Sequence, residues 1–274
     1  MTQVKDWLWR FVKGMFIGSG FILPGVSGGA LAAIFGLYED IIRFLANLTK
    51  NFWKNVKFFL PVGLGGLFGI VILARGLSHL LTNYETIIVW FFVGAIIGML
   101  PALWKEAGQK GRNKKDISVM ITSFIFGFII LFFGAQIFGG NLSPSFGAWI
   151  LSGFLIALGV LVPGLSPSNF ILYLGLYQAM AEGFSQLDLS IIIPIGIGGL
   201  LTVLLLSKII ERIFDQFYSE FFHFIFGIVA ASTIMIIPTN YSGFGLSEYI
   251  WCFVMLLGGT ALGWWMAQLE EKYK

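Results

Sequence analysis

The sequence predicts an all-α integral membrane protein made of two inverted repeats, each a re-entrant helical hairpin followed by three transmembrane helices. Three observations predict this: an apolar composition, an internal duplication, and the placement of basic residues between the apolar runs. Of 274 residues, 57% are hydrophobic and 11% charged, and the mean hydropathy is +0.87. A soluble domain of this length has too much surface to hide so many apolar side chains. Lipid must be the solvent for most of it.

The remaining composition excludes several classes. Cys252 is the single cysteine, so no intrachain disulfide can form. With only His79 and His223 beside it, no metal-ligand cluster of the usual spacing exists, and no cofactor is expected. A net charge of +3 gives no footprint for nucleic acid. At the start of the chain, Lys5, Arg10 and Lys13 precede a short apolar run, and Ala30-Leu31-Ala32 mimics a cleavage site. The same pattern returns around Pro163, where no signal peptide can be. The N-terminus is therefore read as retained, with Trp7, Trp9 and Phe11 as an interfacial anchor.

The duplication appears when the chain is slid against itself. An offset of 139 aligns Gly14 with Gly153, Pro24 with Pro163, Gly25 with Gly164, Ser27 with Ser166, and Gly36-Leu37-Tyr38 with Gly175-Leu176-Tyr177. An offset of 133 lays "PVGLGGL" (61–67) on "PIGIGGL" (194–200), Arg75 on Lys208 and Gly94 on Gly227. The repeats are expected over 1–140 and 141–274.

In the first repeat the apolar runs are 11–38, 58–74, 86–103 and 117–138; in the second they are 147–181, 189–207, 221–238 and 249–266. The unbroken runs hold 17 to 22 residues, enough to span a bilayer. The first run of each repeat is broken by Pro-Gly. Its arms in the first repeat, 11–23 and 28–38, would reach only ~15–20 Å each, short of the ~30 Å hydrocarbon core.

Charge decides between a kinked crossing and a hairpin. Connection 104–116 carries Lys105, Lys110, Arg112, Lys114 and Lys115, whereas 139–146, 182–188 and 239–248 carry no Lys or Arg. Basic loops stay cytoplasmic. Every loop falls on its preferred side only if both broken runs return to the side they came from. Three crossings per repeat then invert the second repeat, with both termini cytoplasmic.

Inverted repeats with interrupted helices are the architecture of many secondary transporters, whose site lies between the repeats near the midplane. The tips carry chemistry suited to an anion. Ser166 is a good N-cap, Pro167 suits the first helical position, and Ser168 and Asn169 follow; Ser27 is the matching cap, followed by Gly28 and Gly29. Free backbone N–H groups at such starts favour a phosphate. Gly25, Ser27, Gly28, Gly29, Gly164, Ser166, Ser168 and Asn169 are thus the candidate phosphate-binding residues. Arg75 and Lys208 close equivalent runs, either as snorkelling helix-end cations or as anion catchers.

"PGVSGG" and "PGLSPS", each followed by "GLY", resemble the bacterial polyprenyl-phosphate transporter family typified by PopT, long catalogued as a domain of unknown function. The similarity runs over nearly the whole chain. It implies a flippase that returns undecaprenyl phosphate from the outer to the inner leaflet of the bacterial cytoplasmic membrane, recycling the carrier for peptidoglycan and cell-wall synthesis. The expected partners are then the polyprenyl-phosphate lipid and the bilayer, with a proton or sodium ion as coupling ion and oligomers both left open. Two other classes use the same residues. A secondary transporter of a small soluble anion would need an enclosed aqueous vestibule. A membrane lipid phosphatase would need a nucleophile and an acid/base pair, for which only His79 and His223 are available.

Overall fold

The computed structural model describes residues 3–23, 28–35, 37, 40–41, 44–45, 51–137, 142–161 and 168–273. These residues include the helices α1 (Gln3–Ile22), α2 (Gly28–Ile34), α3 (Phe52–Ala107), α4 (Lys114–Ile137), α5 (Phe146–Leu161), α6 (Ser168–Tyr173), α7 (Tyr177–Gln186), α8 (Leu189–Met235) and α9 (Leu246–Tyr273). Five helical segments are long and apolar enough to cross a membrane, so the protein is a multi-pass membrane protein.

Two expected boundaries differ. The runs 58–74 and 86–103 lie in one 56-residue helix, α3, interrupted only at Tyr84 (φ −142°, ψ 38°). At 1.5 Å per residue an unbroken helix of this length would reach ~84 Å, nearly three times the hydrocarbon thickness, and the break at Tyr84 falls between the two expected runs. The 47-residue α8 breaks likewise at Phe217 (φ −132°, ψ 32°). Tyr84 and Phe217 are 133 residues apart, the offset that aligns the two glycine motifs. The second broken run is the other departure: it holds α5, α6 and the start of α7 rather than two arms.

That extra division has a local cause. Gly175 has φ 72°, a conformation costly for any residue with a Cβ. Leu176 N then donates to Ile171 O across the turn (3.2 Å), ending α6 in the manner of a Schellman motif. Leu37 N donates to Ala32 O (2.8 Å) at the matching place in the first half. In the second half, Gly-Leu-Tyr is therefore first of all a helix stop.

The glycine motifs fix the helix pairs. A Cβ on Gly65 would lie 1.9 Å from Phe11 O, and one on Gly14 would lie 2.1 Å from Val62 O. In the second half a Cβ on Gly198 would meet Ile150 O at 2.1 Å, and one on Gly153 would meet Ile195 O at 2.0 Å. Such backbone-to-backbone approach is what Gly permits between membrane helices. Contacts advance in the same sense along both partners: Gly14 meets Val62 and Gly18 meets Gly66, so α1 runs parallel to the first part of α3. Gly153 near Ile195 and Ala157 near Gly199 make α5 parallel to the start of α8.

The last helix of each half packs on the other half. Gly94 and Gly98 of α3 approach Leu256 and Thr260 of α9, while Gly227 of α8 approaches Met120 of α4. The largest buried cluster also joins the halves, with Ile22, Ala74 and Phe92 against Trp149, Ile171, Tyr177 and Met180.

Candidate functional site

In the first half, α2 folds back along α1. The Phe21 ring lies against Gly28, Gly20 faces Gly28 and Leu31, and the Phe16 and Phe35 rings stand 5.9 Å apart. Lys13 Nζ donates to Phe35 O (2.9 Å) further along the same pair. In the second half the ends of the α5–α6 segment are tied together, because Leu142 N donates to Leu174 O (3.0 Å). Phe35 and Leu174 are equivalent positions, so both pairs of arms are closed on a matching carbonyl.

The two broken segments meet at the end of α1. The last carbonyls of a helix have no partner within it. Here two hydroxyls from the other half supply the hydrogen bonds: Ser168 Oγ donates to Phe21 O (2.9 Å) and Tyr177 Oη donates to Ile22 O (2.6 Å). Both donors are buried, at 0% and 1% exposure. The Tyr177 ring packs edge-on to Phe92, with centroids 5.5 Å apart. Tyr177 appeared in the sequence only as a landmark of the repeat; its hydroxyl is a direct tie between the halves.

The predicted residues divide as follows. Gly28 and Gly29 open α2 and are buried, and Ser168 opens α6 with its hydroxyl turned to Phe21. Gly25, Ser27, Gly164 and Ser166 lie outside the described residues. Asn169 and Lys208 lie in α6 and α8, with their side chains outside the described set. Arg75 is exposed, and its Nε donates to Ser185 O (3.2 Å). It therefore sits at the C-terminal end of α7, where a cation complements the helix dipole.

Outside this centre, the α3–α4 connection carries a second polar group. Arg112 Nε donates to His223 Nε2 (3.1 Å), Arg112 Nη2 donates to Trp104 O (2.6 Å), and the guanidinium stacks 3.6 Å from the Trp104 ring centroid. Since Nε2 accepts, Nδ1 carries the proton and donates to Ser219 O (2.7 Å). Both ring nitrogens of His223 are thus engaged, Nε2 with the loop residue Arg112 and Nδ1 with a carbonyl one turn back in α8. Among the described residues no group of three or more His, Cys, Asp or Glu could hold a metal ion. A cavity of about 640 Å³ opens between α5, α7 and α8, lined by Ser145, Trp149, Glu182, Gln186, Asp188 and Ser190 among others. Its two carboxylates make it a poor resting place for an anion.

Comparison with known proteins now bears on this arrangement. The family model described as VCA0040-like, undecaprenyl phosphate translocase-like, matches residues 17–244. The chain belongs to that translocase-like family. The match includes both Pro-Gly motifs and both glycine motifs, so the resemblance read from them holds. The translocase-like chain is 27% identical over 251 residues to a polyprenyl-phosphate transporter of Staphylococcus aureus, covering 87% of this chain and 88% of that one. It is 24% identical over 250 residues to a polyprenyl-phosphate transporter of Vibrio cholerae, covering 86% and 79%. A local match to an apolipoprotein N-acyltransferase of Prochlorococcus marinus is 33% identical over 98 residues but covers only 20% of that protein. No solved structure matches.

Proposed function

We propose that this protein moves polyprenyl phosphate between the leaflets of a bacterial cytoplasmic membrane, as a translocase rather than an enzyme. The head group is held where the two broken segments meet, and the isoprenoid tail stays in lipid. Net movement runs from the outer to the inner leaflet, returning the carrier to cell-wall synthesis. The observation that carries this reading is the contact between halves at Phe21, Ile22, Ser168 and Tyr177, in a chain of the translocase-like family. Family membership supports the substrate, and the contact supports the place.

The inverted-repeat topology with re-entrant hairpins belongs to the same proposal and draws support from helix direction. If the broken run 11–38 crossed the membrane, the following span would run antiparallel to α1. The Gly14–Val62 and Gly18–Gly66 contacts run parallel. Single cysteines in a Cys252-free background report the sides. Those at Asn141 and Asp188 should label from outside intact cells, and one at Gly111 only after permeabilisation. Opposite sides for Asn141 and Asp188 would make the second broken run a crossing.

A soluble-anion transporter is disfavoured by the acidic lining of the described cavity, Glu182 and Asp188. A phosphatase is disfavoured by the engagement of both His223 ring nitrogens. The direct experiment uses purified protein in liposomes with a labelled polyprenyl monophosphate. Leaflet exchange should accelerate for the monophosphate, with the dephosphorylated alcohol neither moved nor competing. Release of inorganic phosphate would mean hydrolysis instead.

A further inference from the structure

We infer that Lys13 is the cation that meets the phosphomonoester head group between the broken segments and the membrane face where the chain begins. This rests on the reading of those segments as the head-group site.

Trp7 and Trp9 are exposed and suit the interface, and Lys13 follows Trp9 by four residues, about 6 Å along α1. Ile22, whose carbonyl receives Tyr177, is nine residues further on, about 14 Å. Lys13 therefore lies inside the apolar layer, between interface and tip. Its side chain is half-buried, and its ammonium points to the α2 arm, where it donates to Phe35 O (2.9 Å).

Arg10, one turn earlier, is paired with Asp6. Among the described residues no carboxylate forms an ion pair with Lys13. Among the described residues the ammonium has one neutral carbonyl as partner, which leaves two donors and a full charge for an incoming anion. The equivalent position in the second half is Ser152, fully buried and bonded to Ala148 O (2.9 Å). At this pair of equivalent positions the first half carries a cation and the second a hydroxyl. A phosphomonoester fits this place because it carries charge and several acceptor oxygens in a small volume, while an isoprenoid tail could leave sideways past Phe16, which is 55% exposed.

The same contact could instead be a helix cap, since a cation at the end of α2 complements its dipole. Substitution separates the two. Lys13→Gln can still donate to Phe35 O but has no charge; Lys13→Arg keeps both. In full-length protein in liposomes, Lys13→Gln should slow exchange of polyprenyl monophosphate about tenfold with an unchanged melting temperature, and Lys13→Arg should restore most of it. A second readout does not need transport: acetylation of Lys13 in the native protein, followed by mass spectrometry, should be slowed by polyprenyl monophosphate. Protection by inorganic phosphate as well would assign the site to phosphate in general. If native protein exchanges no lipid, the transport reading fails while protection still decides the role of Lys13. Native-rate exchange by a well-folded Lys13→Gln, or acetylation indifferent to both phosphates, overturns the inference.

Discussion

The two halves of the molecule are alike in packing but differ at two polar positions near the centre. Gly14, Gly65 and the break at Tyr84 have counterparts in Gly153, Gly198 and the break at Phe217, and each set does the same work. The hydroxyls that reach the end of α1 come from Ser168 and Tyr177; at the position equivalent to Ser168 the first half has Gly29. Lys13 is matched by Ser152. Duplication has therefore kept the backbone contacts that close helix pairs, where any Cβ collides. Of the side chains at the centre, Tyr177 and Ser166 keep identical counterparts in Tyr38 and Ser27, while Ser168 and Lys13 do not. A site between such halves has one scaffold and two chemically different approaches.

The largest effect should come from breaking what the halves share. Gly65→Leu and Gly198→Leu each drive a side chain into a backbone carbonyl and should cost about 3 kcal/mol or more. Gly63 and Gly196 belong to the same motifs but have nothing within 4 Å. Leu at either should change stability by no more than about 0.5 kcal/mol. Thermal melting of the four purified variants makes the check. Equal melting at 63 and 65 would remove the packing explanation of the motif.

A smaller effect should sharpen the difference between the halves. Tyr177→Phe keeps the ring against Phe92 but leaves the buried Ile22 carbonyl without its donor, at about 1–3 kcal/mol. Ser168→Ala removes the neighbouring bond at similar or lower cost. Double-mutant coupling near zero between the two would mean that they do not act on one helix end together.

Much of the fold was legible because glycine and proline mark backbone geometry directly. Pro24 and Pro163 marked the breaks, and the two offsets between repeats relate the Gly14–Val62 contact to the Gly153–Ile195 contact. The long helices were less legible. Nothing in the composition around Tyr84 or Phe217 announces that a helix resumes at once, since a one-residue break needs neither Gly nor Pro. At the candidate site, the hairpin arms could be read from Pro-Gly, but the ties between halves could not. Tyr177 and Ile22 are 155 residues apart, and no local pattern links a tyrosine to a distant carbonyl. Lys13 was equally hidden, because three basic residues before an apolar run look like an interfacial flank whatever the third one touches. The capping of α7 by Arg75 depended on where Ser185 would lie, a tertiary fact.

We propose that the paired breaks hold a phosphate head group through Ser27 and Ser166. Losing a hydrogen bond to a charged group costs about 1.5–3 kcal/mol, roughly ten- to a hundredfold in affinity. The deciding measurement is leaflet exchange of polyprenyl monophosphate by the Ser27→Ala, Ser166→Ala double variant in liposomes, set against its melting temperature. Exchange should fall at least tenfold in a protein that melts like the native one. Native-rate exchange by a well-folded double variant would contradict it and leave the breaks as kinks alone.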